Sequence, residues 1–297
     1  MRLDATEPTE DMQEPTCPSC ESTSVRTKVN DMDQAVFTCR KCGLSFGVFK
    51  GNSPPFSFDN YWWTAKLTQK FSQYVECAEY SLRHKLAVLK QLGAGTASVR
   101  SMLDVGCGNG AFLAAGERLG IASQGTDLDR ENVRFAQEHG FNAHHCDLQK
   151  FDPQVQFDFI HIKGTLHLVP NPRILMRRVA ELVSPGGYLY IDSIHQDGLA
   201  SCSRKLLAKL GRGSRYGQIH PPIWHTAYTK RSMTFLLQRG GFVPLKYLTF
   251  SRGNRRYYPV LSPVGALSVI GPLLDPFGLG GDIGCYARRS VAAEFKR

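Results

Sequence analysis

The segment Leu103-Asp104-Val105-Gly106-Cys107-Gly108-Asn109-Gly110 constrains the fold of this chain more than any other. Glycines at every second position let a backbone turn sharply off a strand and come close to a ligand. Val99 to Leu103 reads as that strand, and Ala111 to Leu119 as the helix after the turn. Strand, glycine turn and helix in this order build the crevice where open α/β sheets take nucleotide-like ligands. A dinucleotide turn spaces its glycines G-x-G-x-x-G, so that pyrophosphate meets a helix N-terminus. Here the third glycine comes one residue early, and Asp104 stands at the strand end. A carboxylate there repels pyrophosphate and favours a cationic ligand.

Two further acids follow at strand ends. Ser123 to Asp127 reads as the second strand, ending in an acid 23 residues after Asp104. An acid at that place can accept both ribose hydroxyls of a nucleoside, and Leu128 can lie against one face of its base. Asn132 to His139 continues as a helix, and Ala143 to Cys146 is a strand ending at Asp147-Leu148. Phe157 to Lys163 is the fourth strand, leading into Gly164-Thr-Leu-His167-Leu-Val-Pro170-Asn-Pro172. Ile174 to Leu182 is a helix, Ser184-Pro185-Gly186-Gly187 a turn, and Tyr188 to Asp192 the fifth strand. Val243 to Phe250 and Ile283 to Arg288 read as the last two strands, the final one antiparallel.

Together these segments resemble the class I S-adenosylmethionine (SAM) methyltransferases over about residues 99–290. SAM carries an amino acid moiety and a sulfonium but no phosphate, in keeping with Asp104 beside the turn. The resemblance is closest to the broad group acting on small molecules, lipids and saccharides. It implies an α/β fold, a Rossmann-like seven-stranded methyltransferase sheet flanked by helices. It implies SAM contacts from Asp104, Gly106, Gly108, Asn109, Gly110, Asp127, Leu128, Asp147, Leu148 and Lys163. In that family the acid matching Asp147 pairs with the adenine amino group, and the residue matching Leu148 offers its backbone. There are departures. Quinone-modifying members carry two Glu and a His for a metal in the fourth motif; here Lys163 and Leu166 replace the acids and His167 is kept. The Asn/Asp-Pro-Pro-Tyr/Phe segment used on base amino groups is absent. Cys107 reads as a packing residue inside the turn.

Outside this series, Cys17-Pro-Ser-Cys20 and Cys39-Arg-Lys-Cys42 form two C-x2-C pairs separated by 18 residues. Two thiolates on each of two tight turns complete a tetrahedral structural zinc site with no open position. Val25 to Val29 and Ala35 to Thr38 fit the strands of a zinc ribbon spanning residues 17–49, after an acidic tail over 1–16 read as disordered. The ribbon either docks the substrate or stabilises a short module. Residues 50–98 read as a linker and N-terminal helices: Lys50 to Asn60 is rich in turn formers, and Thr64 to Leu92 has helical periodicity. The aromatic cluster Phe56 to Trp63 either packs between the two modules or walls the substrate pocket.

A hydroxyl acceptor gains from a general base, and histidine is the usual one. His167 follows the fourth strand; His225 lies with His220 in an insertion near 194–226. A second insertion spans about 251–281. The charge is lopsided. Residues 1–197 hold 20 Lys/Arg against 23 Asp/Glu, while 198–297 hold 16 against 3, so the net +10 comes from the C-terminal third. That basic excess is a solvated surface, or it meets an anionic substrate, an anionic membrane surface or RNA. No run reaches the roughly 18 apolar residues of a spanning helix. Nine cysteines, four at metal spacing and the rest scattered, point to a reducing compartment and hence the cytoplasm.

The leading expectation is a SAM-dependent methyltransferase with a small-molecule, saccharide or lipid-linked acceptor, methylated at oxygen. The alternatives are an RNA methyltransferase and a non-catalytic zinc-ribbon interaction protein.

Overall fold

The strand before the glycine turn is Ser101–Val105 (β4), buried from Met102 onward. The computed structural model describes residues 15–30, 34–49, 70–93, 99–199, 201–203, 219, 223–251, 273 and 275–290. His220, the aromatic cluster 56–63, residues 204–218 of the first insertion and 252–272 of the second lie outside the described residues.

Around β4 the chain lays down Ala122–Asp127 (β5), Ala143–His145 (β6), Phe157–Ile162 (β7), Val183–Ile194 (β8), Phe242–Phe250 (β10) and Asp282–Arg289 (β11). The order across this seven-stranded sheet is β10-β11-β8-β7-β4-β5-β6. The strands from β6 to β8 pair in parallel, and β11 runs antiparallel to both neighbours. Strand order reverses at β4, which has β5 on one side and β7 on the other. The crevice for a ligand therefore opens at the C-terminal end of β4, above the glycine turn.

Helices cover both faces. Phe71–Gln91 (α1) and Ala111–Arg118 (α2) pack with Met102, Phe159, Tyr190 and Tyr286 on one face. Pro172–Leu182 (α4) and Lys230–Arg239 (α5) pack with Leu103, Val105, Ile160 and Ile162 on the other. The period-two alternation of each strand supplies both faces. Full burial of a side chain such as Phe157 or Leu103 contributes roughly 1.5–3 kcal/mol. Helix starts are set locally: Asp129 accepts from the Asn132 N–H at the head of Arg130–Glu138 (α3), and Asn171 and Thr229 cap α4 and α5.

The Pro-Gly-Gly segment, read from sequence as a turn before a strand, instead lies inside β8 as a bulge. Phe157 pairs with Val183 but Phe159 with Tyr188, so Ser184 to Gly187 stand opposite Asp158 alone. Among the described residues no helix is long and apolar enough to cross a membrane.

The N-terminal sheet holds Val25–Asn30 (β1), Gln34–Cys39 (β2) and Ser45–Phe49 (β3), each antiparallel to the next. A fourth strand completes it from far along the chain. Thr226–Ala227 (β9) pairs antiparallel with β3, Phe46 opposite Thr226 and Ser45 opposite Ala227. The ribbon's buried Phe37, Leu44 and Phe46 join the same core cluster as Leu103 and Ile160 of the large sheet.

Candidate functional site

The glycine turn is held from below. The Gly106 and Cys107 N–H groups both donate to the Thr126 carbonyl of β5, at 2.8 and 3.1 Å. Gly106 has φ +79, and a Cβ there would lie 2.1 Å from Thr165 Oγ1. Gly108 has φ +53, yet a Cβ there would meet nothing within 4 Å. The first glycine is thus required by packing. The second faces open space at the strand-order reversal. Cys107 is buried against Gly125, and burial pushes its thiol well up, as for a packing residue.

Asp127 sits at the end of β5. One carboxylate oxygen accepts from the Gly108 N–H at 2.8 Å, the other from the Asp129 N–H at 2.8 Å. Burial raises its carboxyl above the usual range, against the pull of those two N–H groups. Leu128, next in sequence, is 48% exposed. Asp147 caps the short turn Leu148–Lys150, accepting from the Gln149 N–H, and its side chain stays exposed while Leu148 is buried. Asn109 is buried within the turn.

Asp104 is only 4% exposed and lies 2.8 Å from His161 Nδ1. It belongs to a buried polar cluster on the α1 side of the sheet. His161 is fully buried and stacks on Phe112 with ring centroids 4.2 Å apart. Burial drives its pKa well below the ordinary value, so the imidazole is neutral and shares a hydrogen bond with the Asp104 carboxyl. Lys85 comes down from α1, its Nζ 4.3 Å from the Tyr190 ring centroid and donating to Ser81 Oγ. Burial lowers Lys85 to about 8 and raises Asp104 to about 7; Lys163 and Lys85 partly oppose the rise at Asp104. Asp192, at the end of β8, accepts from the Gly164 N–H at 2.7 Å and from Tyr190 OH at 3.3 Å. Lys163 is exposed, its Nζ 5.2 Å from the Phe112 ring. Sequence reasoning missed Lys85 and Asp192. Lys85 had a signal: the buried stripe of α1 runs Val75, Ala78, Leu82, Lys85, Leu89, with a cation on an apolar heptad position.

His167 and His225, far apart in sequence, are neighbours in the fold. The His225 N–H donates to the His167 carbonyl at 2.8 Å. The His167 ring meets Trp224 edge-on, with centroids 6.4 Å apart. His167 is buried and His225 half-buried, beyond the C-terminal end of β7.

The four knuckle cysteines are buried, and their sulfurs all lie within 4.8 Å of one another. Cys17 and Cys42 sulfurs are 3.6 Å apart, Cys20 and Cys39 3.5 Å. A tetrahedral ion with Zn–S bonds near 2.3 Å needs sulfurs about 3.8 Å apart, so the residues fit zinc. The Cys17–Cys42 contact lowers the Cys17 thiol and, with burial, raises that of Cys42. A dication would offset the mutual repulsion of four thiolates held this close.

A family model described as a methyltransferase domain matches residues 74–247. The chain belongs to this family. Its large sheet is the class I SAM-dependent methyltransferase sheet, with the small antiparallel sheet and its four-cysteine cluster added at the N-terminus. Curated relatives include the ubiquinone biosynthesis O-methyltransferase of Paracidovorax citrulli, 32% identical over 110 residues, which is 34% of this chain and 46% of the relative. That of Ralstonia nicotianae is 31% identical over 120 residues, 38% of this chain and 49% of the relative. The chain thus spans about half the length of the curated relatives it matches. Among solved structures, the magnesium protoporphyrin IX methyltransferase of Synechocystis PCC 6803 with bound SAH superposes with a TM-score of 0.48 at 14% identity, covering 77% of this chain and 96% of that one.

Proposed function

We propose that this methyltransferase domain carries methyl from SAM to a hydroxyl oxygen of a small-molecule, saccharide or lipid-linked acceptor. The carrying observation is Gly108: a left-handed glycine facing open space at the strand-order reversal of a methyltransferase sheet. Gly106 to Gly110 would cradle the amino acid end of SAM, Asp127 the ribose, Leu128 the adenine face, and Asp147 with Leu148 the adenine edge. Lys163 and the Asp104 cluster border the same end. SAM supplies a methyl carbon already made electrophilic by its sulfonium. The protein's part is to align the acceptor oxygen and to take its proton.

His167 and His225 are the residues assigned to the proton. The His225–His167 backbone bond brings the two residues together beyond the C-terminal end of β7. Lys163 and the fully buried Leu166 offer no carboxylate to a catalytic metal, so the histidines stand without the two acids that accompany such a metal in quinone-modifying members. The oxygen preference is supported by the matched relatives, which are named O-methyltransferases. Trp224 beside His167 suits a flat or ring-shaped acceptor.

The test is a turnover assay with radiolabelled SAM on fractionated extract, paired with calorimetric SAM titration, for His167→Ala and His225→Ala. At least one variant is expected to lose about 100-fold or more in turnover while keeping SAM affinity. Full turnover in both variants would remove the general-base assignment.

A further inference from the structure

We infer that the metal bound by the four cysteines holds the segment Trp224 to Tyr228 against His167, which makes the ribbon one wall of the acceptor side. The inference rests on the tetrathiolate site and on the acceptor-side reading of His167 and His225.

β9 is two residues long and cannot persist on its own pairing. It is sandwiched. On one side the Gly47 N–H of β3 donates to the His225 carbonyl at 2.8 Å. On the other, the His225 N–H donates to the His167 carbonyl at 2.8 Å, and Thr226 Oγ1 donates to the Leu166 carbonyl at 3.4 Å. The backbone of His225 is therefore a bridge between the ribbon and the turn after β7.

The start of β3 is fixed by the second cysteine pair. The Gly43 N–H donates to the Cys39 carbonyl at 3.0 Å, and the Cys39 N–H to the Leu44 carbonyl at 2.9 Å. The register that sets Phe46 opposite Thr226 is thus set by the knuckle. Two more contacts clamp the knuckle to the large domain: Arg231 donates to the Lys41 carbonyl at 2.7 Å, and Arg173 pairs with Glu21 at 2.8 Å. Tyr228, fully buried, lies in the same core cluster as all four cysteines.

The cofactor side is built differently. Of β4, only Leu103 and Val105 share the ribbon's core cluster; α1 and α2 pack in a second cluster, and Cys107, Leu113 and Val133 around the glycine turn in a third, neither of which contains a ribbon residue. Metal loss should therefore loosen the acceptor wall and leave the glycine turn in place.

Hydrogen exchange on the full chain, zinc-loaded and then treated with chelator, tests this. Amides in 44–49 and 223–229 are expected to lose about tenfold or more of their protection, amides in 101–118 to keep theirs, and zinc re-addition to restore the loss. Unchanged protection in 223–229 would overturn the inference. So would parallel loss in 101–118, which would make the metal a staple for the whole fold. The readout needs neither acceptor nor turnover, so its failure would leave the proposed methyl transfer standing.

Discussion

Asp104→Asn keeps the side chain's shape at the end of β4 and removes its charge. Burial raises the Asp104 carboxyl from 3.8 to about 7. The folded chain then holds a proton that the unfolded chain has released. Stability contributed by this group is fully present below the unfolded value and is lost as pH rises toward the folded one. One such proton gives a slope of about 1.4 kcal/mol per pH unit, so wild type loses about 2 kcal/mol relative to the Asn variant between roughly pH 5.5 and pH 7. Above that range the difference levels off. Asp127 and Lys85 both feel the Asp104 charge, so the difference between the two chains reports Asp104 together with its effect on these neighbours. Urea denaturation of both proteins across this range measures the difference directly. A stability difference that does not change with pH would refute the claim that burial governs this carboxyl.

Gly106→Ala is expected to cost more than about 2 kcal/mol in thermal unfolding, because its Cβ would strike Thr165 at a left-handed φ. Gly108→Ala meets nothing within 4 Å, so its loss is expected to stay near the backbone cost of about 1–2 kcal/mol while SAM affinity falls. Metal analysis is expected to find one zinc per chain, and cobalt substitution to give the spectrum of a tetrahedral tetrathiolate; Cys39→Ser should abolish both.

The methyltransferase sheet was legible because its requirements are written in residue types. Glycines mark the turn, acids mark the strand ends, and apolar alternation marks the strands between. The pairing of β3 with β9 was not legible. Two residues carry no periodicity, and their partner lies some 180 positions away, so only tertiary packing joins them. The adjacency of His167 and His225 was hidden for the same reason, although each histidine was singled out. The pairing of His161 with Asp104, on neighbouring strands 57 positions apart, was hidden likewise. Lys85 was passed over inside a helical stripe, yet its place among Leu82 and Leu89 marked it as a buried cation.

Calorimetric titration of SAM into wild type and Asp127→Ala tests the central claim most directly. Saturable binding is expected in wild type, weakened about tenfold or more in the variant, since the ribose contact proposed for Asp127 would be worth upwards of about 1.4 kcal/mol. No binding to wild type, or equal affinity in both, would contradict the account.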